Sequence, residues 1–153
     1  MTDTSAKFEI MELFSRYLLF LDERKFDAES FARIFTENAE VSMLSNMMPI
    51  KECKGLKEIR NIHASLYRMI KSSHHQSGDF IFLSLTDNNA EVRCNLIGCF
   101  DSLNNETSVS VGTMMLSAVY TEEGWRIQRM NRKTRNYYAL NIHSKPQEVF
   151  LIE

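Results

Sequence analysis

The apolar pattern of the chain changes its period at residues 72–79, and this change restricts the fold more than any other feature. Before it, apolar residues recur at helical spacing, as from Ile10 to Leu21, where they fall at i, i+3, i+4, i+7, i+8 and i+11. After it, apolar and polar residues alternate, as from Ala90 to Leu96, which is typical of an antiparallel sheet covered on one face. The order predicts an α+β domain in which a curved antiparallel sheet wraps a long helix.

Three helices and a short strand are predicted before this change. The first helix covers residues 5–22. The second begins at the N-cap Asp27, where Phe26 and Phe31 form a hydrophobic staple, and it runs to Phe35, before a break at residues 36–38. The short strand covers residues 39–44, residues 45–54 form a loop, and a third helix runs from Gly55 to about residue 71.

Four strands are predicted after the change, at residues 79–86, 90–100, 107–121 and 125–130, with turns between them. Residues from 131 onward fall outside this sheet. The whole chain, 1–153, is predicted to be one domain, with residues 138–153 as a C-terminal tail.

Composition excludes several classes of function. Eighteen basic and 20 acidic residues give a net charge of -2, so we expect no nucleic-acid partner and no membrane partner. The three cysteines have no CxxC spacing and no clustered histidines beside them. We therefore expect no disulfide framework, no metal and a cytoplasmic location.

Two adjacent histidines, His74 and His75, stand where the third helix gives way to the sheet, at the mouth of any cavity between them. Tyr17 lies in the apolar stripe of the first helix, as a core tyrosine or a site residue. Asp22 is about 140° further round an ideal helix, so the two meet in one site only if the helix ends or bends there. Its alternative role is a cap or a surface ion pair. His63 on the third helix is interpreted as a hydrogen-bonded packing residue rather than a ligand.

These landmarks together resemble a known family. They are the run Tyr17-x4-Asp22, the helix start Phe26-Asp27, the segment 34–41, Gly55, the pair His74-His75, and Gly124-Trp125-Arg126-Ile127. Their order is similar to that of SnoaL-like proteins of the NTF2-like superfamily, over roughly residues 5–137. The nearest branch is that of scytalone dehydratase and bile-acid 7α-dehydratase.

The resemblance implies a cone-shaped fold and a cofactor-independent dehydratase or isomerase with a small hydrophobic, hydroxylated or ketone-bearing substrate. In that reading His74 is the acid/base, Asp22 its partner and Tyr17 the electrophilic donor. Cys94 stands where the dehydratases place a second acid/base residue, and their pocket asparagine has no match near Met115. The residues expected to line the pocket are Cys94, Met43, Met114, Phe14 and Leu66.

Two other functions remain open. The chain can be a non-catalytic ligand-binding or oligomerisation module, which the missing second acid/base residue favours. A structural subunit of a ring-hydroxylating dioxygenase is less consistent with so short a chain. We also expect a homodimer or a higher homo-oligomer. Its interface would use Arg132, Arg135, the two tyrosines after it and the apolar segment 148–152, unless the tail folds back on its own sheet.

Overall fold

The computed structural model describes residues 3–45 and 48–140. The helices are α1 (Asp3–Asp22), α2 (Ala28–Ala32) and α3 (Leu56–Leu66), and a 3₁₀ turn at Tyr67–Met69 follows α3. The strands are β1 (Phe35–Ser45), β2 (Met48–Lys54), β3 (Ile70–Leu85), β4 (Asn89–Ser102), β5 (Thr107–Thr121) and β6 (Gly124–Leu140). None of the helices in the described part is long and apolar enough to cross a membrane.

All six strands form one curved sheet in the order β2-β1-β6-β5-β4-β3. Strand β1 runs parallel to β6, and every other neighbouring pair is antiparallel. Buried and exposed residues alternate along most of β4 and β5, because successive side chains of a strand point to opposite faces. Helix α1 packs against β3 and β6, so the concave face is the buried one, and the predicted α+β fold is confirmed.

Helix α1 buries the predicted apolar stripe. Phe14 lies at the centre of that stripe and is fully buried. Its ring meets Phe80 of β3 edge to face at 6.0 Å, and Tyr17 meets Phe35 of β1 in the same way at 5.5 Å. The helix therefore touches both halves of the sheet, which it holds together through aromatic contacts.

The predicted start of α2 is confirmed, but its predicted length is wrong. Asp27 accepts a hydrogen bond from the Ser30 amide at 2.8 Å, and the rings of Phe26 and Phe31 lie 6.3 Å apart. The helix ends at Ala32. The Ile34 carbonyl then accepts the amide of Ile127, because the chain enters β1 and pairs with β6.

Three stretches predicted to lie outside strands form strands in the structure. Residues 48–54 form the edge strand β2, β3 begins at Ile70 rather than residue 79, and β6 continues to Leu140. In β3 and β6 the inward positions carry polar residues such as His75 and Arg132, so the alternation that marks a strand is absent there. Residues 141–153, with most of the predicted tail and its apolar segment, lie outside the described residues, and the expected homodimer stays a prediction.

A glycine in β5 lets two strands approach closely where their register shifts. Val111 pairs with Asn136 but Gly112 pairs with Thr134, which leaves Arg135 as an extra residue in β6. A Cβ at position 112 would lie 2.5 Å from the Lys133 carbonyl oxygen. Backbone, rather than a mobile side chain, occupies that space.

We expect Gly112→Ala to lower the free energy of unfolding by about 2–3 kcal/mol, since the strand backbone has to move. Gly78→Ala in β3 is the matched control, because a Cβ there meets nothing within 4 Å. Urea unfolding of both variants measures the difference. Equal free energies of unfolding for the two variants would show that the β6 backbone can move at the bulge without loss of stability.

Candidate functional site

A carboxylate and a histidine form a fixed pair where α1 meets β3. Asp22, the last residue of α1, receives the Ser73 hydroxyl at 2.7 Å, the His75 amide at 2.9 Å and His75 Nδ1 at 2.6 Å. A carboxylate with these donors only accepts, so Nδ1 of His75 carries its proton. The other ring nitrogen, Nε2, carries no hydrogen and lies on the concave side of the sheet.

The structure reverses the orientation predicted for the two histidines. The side chain of His75 is fully buried and that of Asp22 is 17% exposed. His74 is exposed and lies on the outer face, across from Cys99 of β4. Neighbouring residues of a strand point to opposite faces, so only one of the pair can meet Asp22. The prediction that His74 faces the interior is therefore wrong, and Asp22 is neither a surface pair nor the cap of α2, a position taken by Asp27.

The His75 ring is held by residues of β4 and of the 3₁₀ turn. It meets the Phe100 ring edge to face at 5.2 Å. Gly98 lies directly across from it; a Cβ there would lie 3.2 Å from His75 Cδ2 and 2.7 Å from Phe100 Cζ. The Tyr67 hydroxyl is 3.4 Å from Nε2, a long contact that leaves this nitrogen available to another partner.

Burial lowers the pKa of His75, and the hydrogen bond and charge of Asp22 partly oppose that shift. The positive charge of Arg132 lowers the pKa further. The ring is therefore neutral at neutral pH and can accept a proton at Nε2. Asp22 favours the protonated form, so the pair can accept a proton and release it again.

A second histidine, His63 of α3, is hydrogen-bonded to a tyrosine and faces the same interior. His63 Nδ1 donates to the Ile59 carbonyl at 2.7 Å, and its Nε2 lies 2.8 Å from the Tyr17 hydroxyl. Burial lowers the pKa of His63 to about 4, and its ring meets Phe31 edge to face at 5.5 Å. His63 is thus the hydrogen-bonded packing residue that the sequence indicated, with Tyr17 as its partner.

Two residues were not predicted to belong to the site, Tyr67 and Arg132, the second of which was expected at a subunit interface. Arg132 of β6 donates to the buried Ser110 hydroxyl at 3.1 Å, and its charge lowers the pKa of Tyr17, His63, Tyr67 and His75. Within residues 3–45 and 48–140 it forms no ion pair with a carboxylate. A cation therefore stands among the polar groups of the concave side.

Tyr67 is the other of these two residues. It is 6% exposed and follows Ile59 and His63 at i+4 spacing. That spacing was the available signal for Tyr67. For Arg132 the signal was the run Met130-x-Arg132-x-Thr134, which continues the inward positions of β6.

The five residues expected to line the pocket all lie on the inner side of the fold. Cys94, Met114 and Phe14 are buried, and Met43 and Leu66 pack half-buried against the core. Burial raises the pKa of the Cys94 thiol to about 12, so this residue keeps its proton at neutral pH and is not suited to transfer one. The lining role of the five remains a prediction. No group of three metal-ligating side chains occurs in the described part of the chain.

A curved sheet wrapped on a long helix, with polar groups on the concave side, defines the NTF2-like class of α+β proteins. A family model described as a SnoaL-like domain matches residues 2–131. The chain therefore belongs to the SnoaL-like family, and the resemblance seen in the sequence is confirmed.

Solved structures share the fold at low sequence identity. An NTF2-like superfamily protein from Salmonella enterica is 18% identical with a TM-score of 0.74, covering 88% of this chain and 94% of that one. A protein provisionally assigned as a scytalone dehydratase from Novosphingobium aromaticivorans is 18% identical, with a TM-score of 0.77 and coverage of 94% and 95%. A hexachlorocyclohexane dehydrochlorinase from Novosphingobium barchaimii is 14% identical, with a TM-score of 0.76 and coverage of 94% and 97%. A search of curated protein sequences finds no match.

Proposed function

We propose that the protein is a cofactor-independent dehydratase that removes water from a small hydrophobic β-hydroxy ketone, with His75 as the acid/base. The observation that carries the proposal is the Asp22–His75 pair. Its Nδ1–Oδ1 distance is 2.6 Å and the histidine side chain is fully buried. A buried neutral imidazole with a carboxylate on one nitrogen and, on the other, only a long contact to the Tyr67 hydroxyl at 3.4 Å suits proton abstraction from carbon.

In this reaction His75 Nε2 takes the proton from the carbon between the carbonyl and the hydroxyl-bearing carbon. The electron pair moves to the carbonyl oxygen and returns to form a carbon–carbon double bond, which expels the hydroxyl group. That group leaves as water with the proton that Nε2 took up. Asp22 holds the ring tautomer and stabilises the imidazolium that forms between the two transfers. Returning the proton to a different carbon instead would give double-bond migration, the isomerase variant.

Arg132 supplies the positive charge that this reaction needs. Negative charge develops on the carbonyl oxygen when the proton leaves, and a preorganised cation in a buried site can stabilise it by roughly 3–4 kcal/mol. The charge of Arg132 reaches both His75 and Tyr67. We assign it the electrophilic role that the sequence analysis gave to Tyr17.

Two of the similar structures support an elimination. One is provisionally assigned as a scytalone dehydratase and another is named as a dehydrochlorinase, and both names denote the loss of a small molecule from a substrate. At 18% and 14% identity they indicate the fold, and the chemistry proposed for this chain depends on its own Asp22–His75 pair.

A non-catalytic ligand-binding module is the second candidate, and the inner position on β4 favours it. Cys94 holds its proton there, with the pKa raised to about 12, and the Tyr17 hydroxyl is bonded to His63. Among the described groups of the concave side, His75 is then the one suited to carry a proton at neutral pH. A binding protein needs none.

The experiment that separates the two uses β-hydroxycyclohexanone and β-hydroxydecalone, with enone formation followed by ultraviolet absorbance. We expect wild-type turnover and a loss of at least about 10²-fold in Asp22→Asn, since the imidazolium loses its carboxylate. Asp27→Asn is the matched control, because asparagine caps α2 as well as aspartate does.

Two results would count against the dehydratase. Equal turnover by Asp22→Asn and the wild type would remove the role of the pair. Binding of both ketones in isothermal titration calorimetry, with no enone from either, would favour the binding module.

A further inference from the structure

We propose that His63 is a positioning residue that turns the Tyr17 hydroxyl into a hydrogen-bond acceptor towards the interior, so that the pocket selects a ligand with a hydroxyl donor at this point. The inference rests on the proposed function for the location of the pocket and names the ligand group that faces α1.

The direction of the hydrogen bonds follows from the atoms involved. The Ile59 carbonyl can only accept, so His63 Nδ1, 2.7 Å away, carries the ring hydrogen. The ring is 2% exposed, and burial keeps it neutral. A neutral imidazole with a hydrogen on Nδ1 has none on Nε2, so the Tyr17 hydroxyl must donate to Nε2 across 2.8 Å.

The Tyr17 hydroxyl has only one hydrogen, and this bond uses it. Tyr17 makes no other hydrogen bond within the described part of the chain, so its oxygen keeps lone pairs for a further partner. The charge of Arg132 and the Tyr67 phenol both act on its pKa, and both also lie in the surroundings of His75. An oxygen in this state accepts from a hydroxyl group or a water, and it cannot polarise a carbonyl.

The two hydrogen-bonded sets, Ile59–His63–Tyr17 and Asp22–His75–Tyr67, therefore have different functions although their geometry is alike. Each ring donates Nδ1–H to an oxygen and turns Nε2 towards a tyrosine hydroxyl. His75 faces a carboxylate, which stabilises a positive ring. His63 faces an uncharged carbonyl, and burial and the charge of Arg132 lower its pKa, so it orients a proton without accepting one.

The first test reads the tautomer without any ligand. Nitrogen-15 NMR of protein labelled at histidine should show His63 with a protonated Nδ1 and an unprotonated Nε2 at neutral pH. Tyr17→Phe should shift the Nε2 resonance of His63 because that nitrogen loses its donor. A hydrogen on Nε2 would overturn the proposal.

The second test uses a matched pair of probes, tetralol and tetralone, which differ in a hydroxyl and a carbonyl. We expect the wild type to bind the alcohol roughly tenfold more tightly, about the effect of one hydrogen bond, and Tyr17→Phe to lose this preference. His63→Leu releases the tyrosine hydrogen and should shift the preference towards the ketone, a reversal that a purely structural residue would not produce.

Equal binding of the two probes by the wild type, or a preference for the ketone, overturns the proposal. Binding of neither probe rejects the proposed ligand class. If His63→Leu does not fold, Tyr17→Phe still decides. Neither test measures turnover, so a protein that binds the alcohol but fails to form enone would contradict the dehydratase and leave this inference standing.

Discussion

Replacing His75 with glutamine is expected to reduce enone formation from β-hydroxycyclohexanone by about 10³-fold. A positioned general base contributes about 10²–10⁴ to a rate, and glutamine cannot take up a proton. Its amide can still donate to Asp22, the partner of Nδ1 at 2.6 Å, so the variant tests the proton and keeps one contact of the pair.

His74→Gln is the matched control, because it makes the same change one residue away on the exposed face of β3. Its turnover should stay within about twofold of the wild type, since surface changes have small effects. Steady-state rates and circular dichroism of both variants decide the matter. A large loss in His74→Gln, with His75→Gln active, would restore the assignment made from the sequence and reject the one made from the structure.

The pH profile gives an independent reading of the same residue. Since burial holds the pKa of His75 below its ordinary value of 6.5, the base form persists below that pH, and the rate should fall only in more acidic solution. A rate that falls already above pH 6.5 would point to another group.

The choice between two adjacent histidines lies beyond what a single sequence can settle. A strand shifted by one residue exchanges its faces, so the orientation of His75 depends on register. That register is set by pairing with Gly98, which leaves room for the ring, and by a shift between Gly78 and Ile81. The pairing involves β4 and the register shift lies in the middle of β3, so neither can be seen in the residues beside the histidines.

Sequence patterns predicted the fold well where inward residues are apolar and failed where they are polar. The apolar stripe of α1 and the apolar positions of β4 are buried in the same core, so the periodicity of the sequence predicted both elements. Residues 72–77 and 131–136 place His75 and Arg132 on the inner face. Both stretches are polar in sequence, so no alternating pattern predicts a strand there. The candidate site lies where the hydrophobic pattern stops.

The structure also explains how Tyr17 and Asp22 can both face the interior although they point in different directions from α1. Their separation of about 140° on a helix argued against a common site. In the structure Tyr17 reaches His63 of α3 while Asp22, at the helix end, reaches His75 of β3. The two partners face the interior from different sides, and Arg132 acts on both histidines.

Acid is expected to destabilise the fold, chiefly through His63. Its pKa is about 4 when folded and near 6.5 when unfolded, so below pH 6.5 the unfolded chain binds a proton that the folded chain does not. Stability then falls as the pH drops from about 6.5 to about 4, by about 3 kcal/mol in total for this group. His75 adds to the loss, because its pKa is also lowered in the folded state.

Urea unfolding at a series of pH values between neutral and about 4 measures this slope. His63→Leu should be less stable than the wild type at neutral pH, because Tyr17 loses its acceptor, yet it should lose less stability on acidification. His74→Gln is the control and should keep the wild-type slope, since His74 is exposed. An unchanged slope in His63→Leu would mean that His63 accepts a proton in the folded protein. The neutral ring that orients Tyr17 would then have to be abandoned as well.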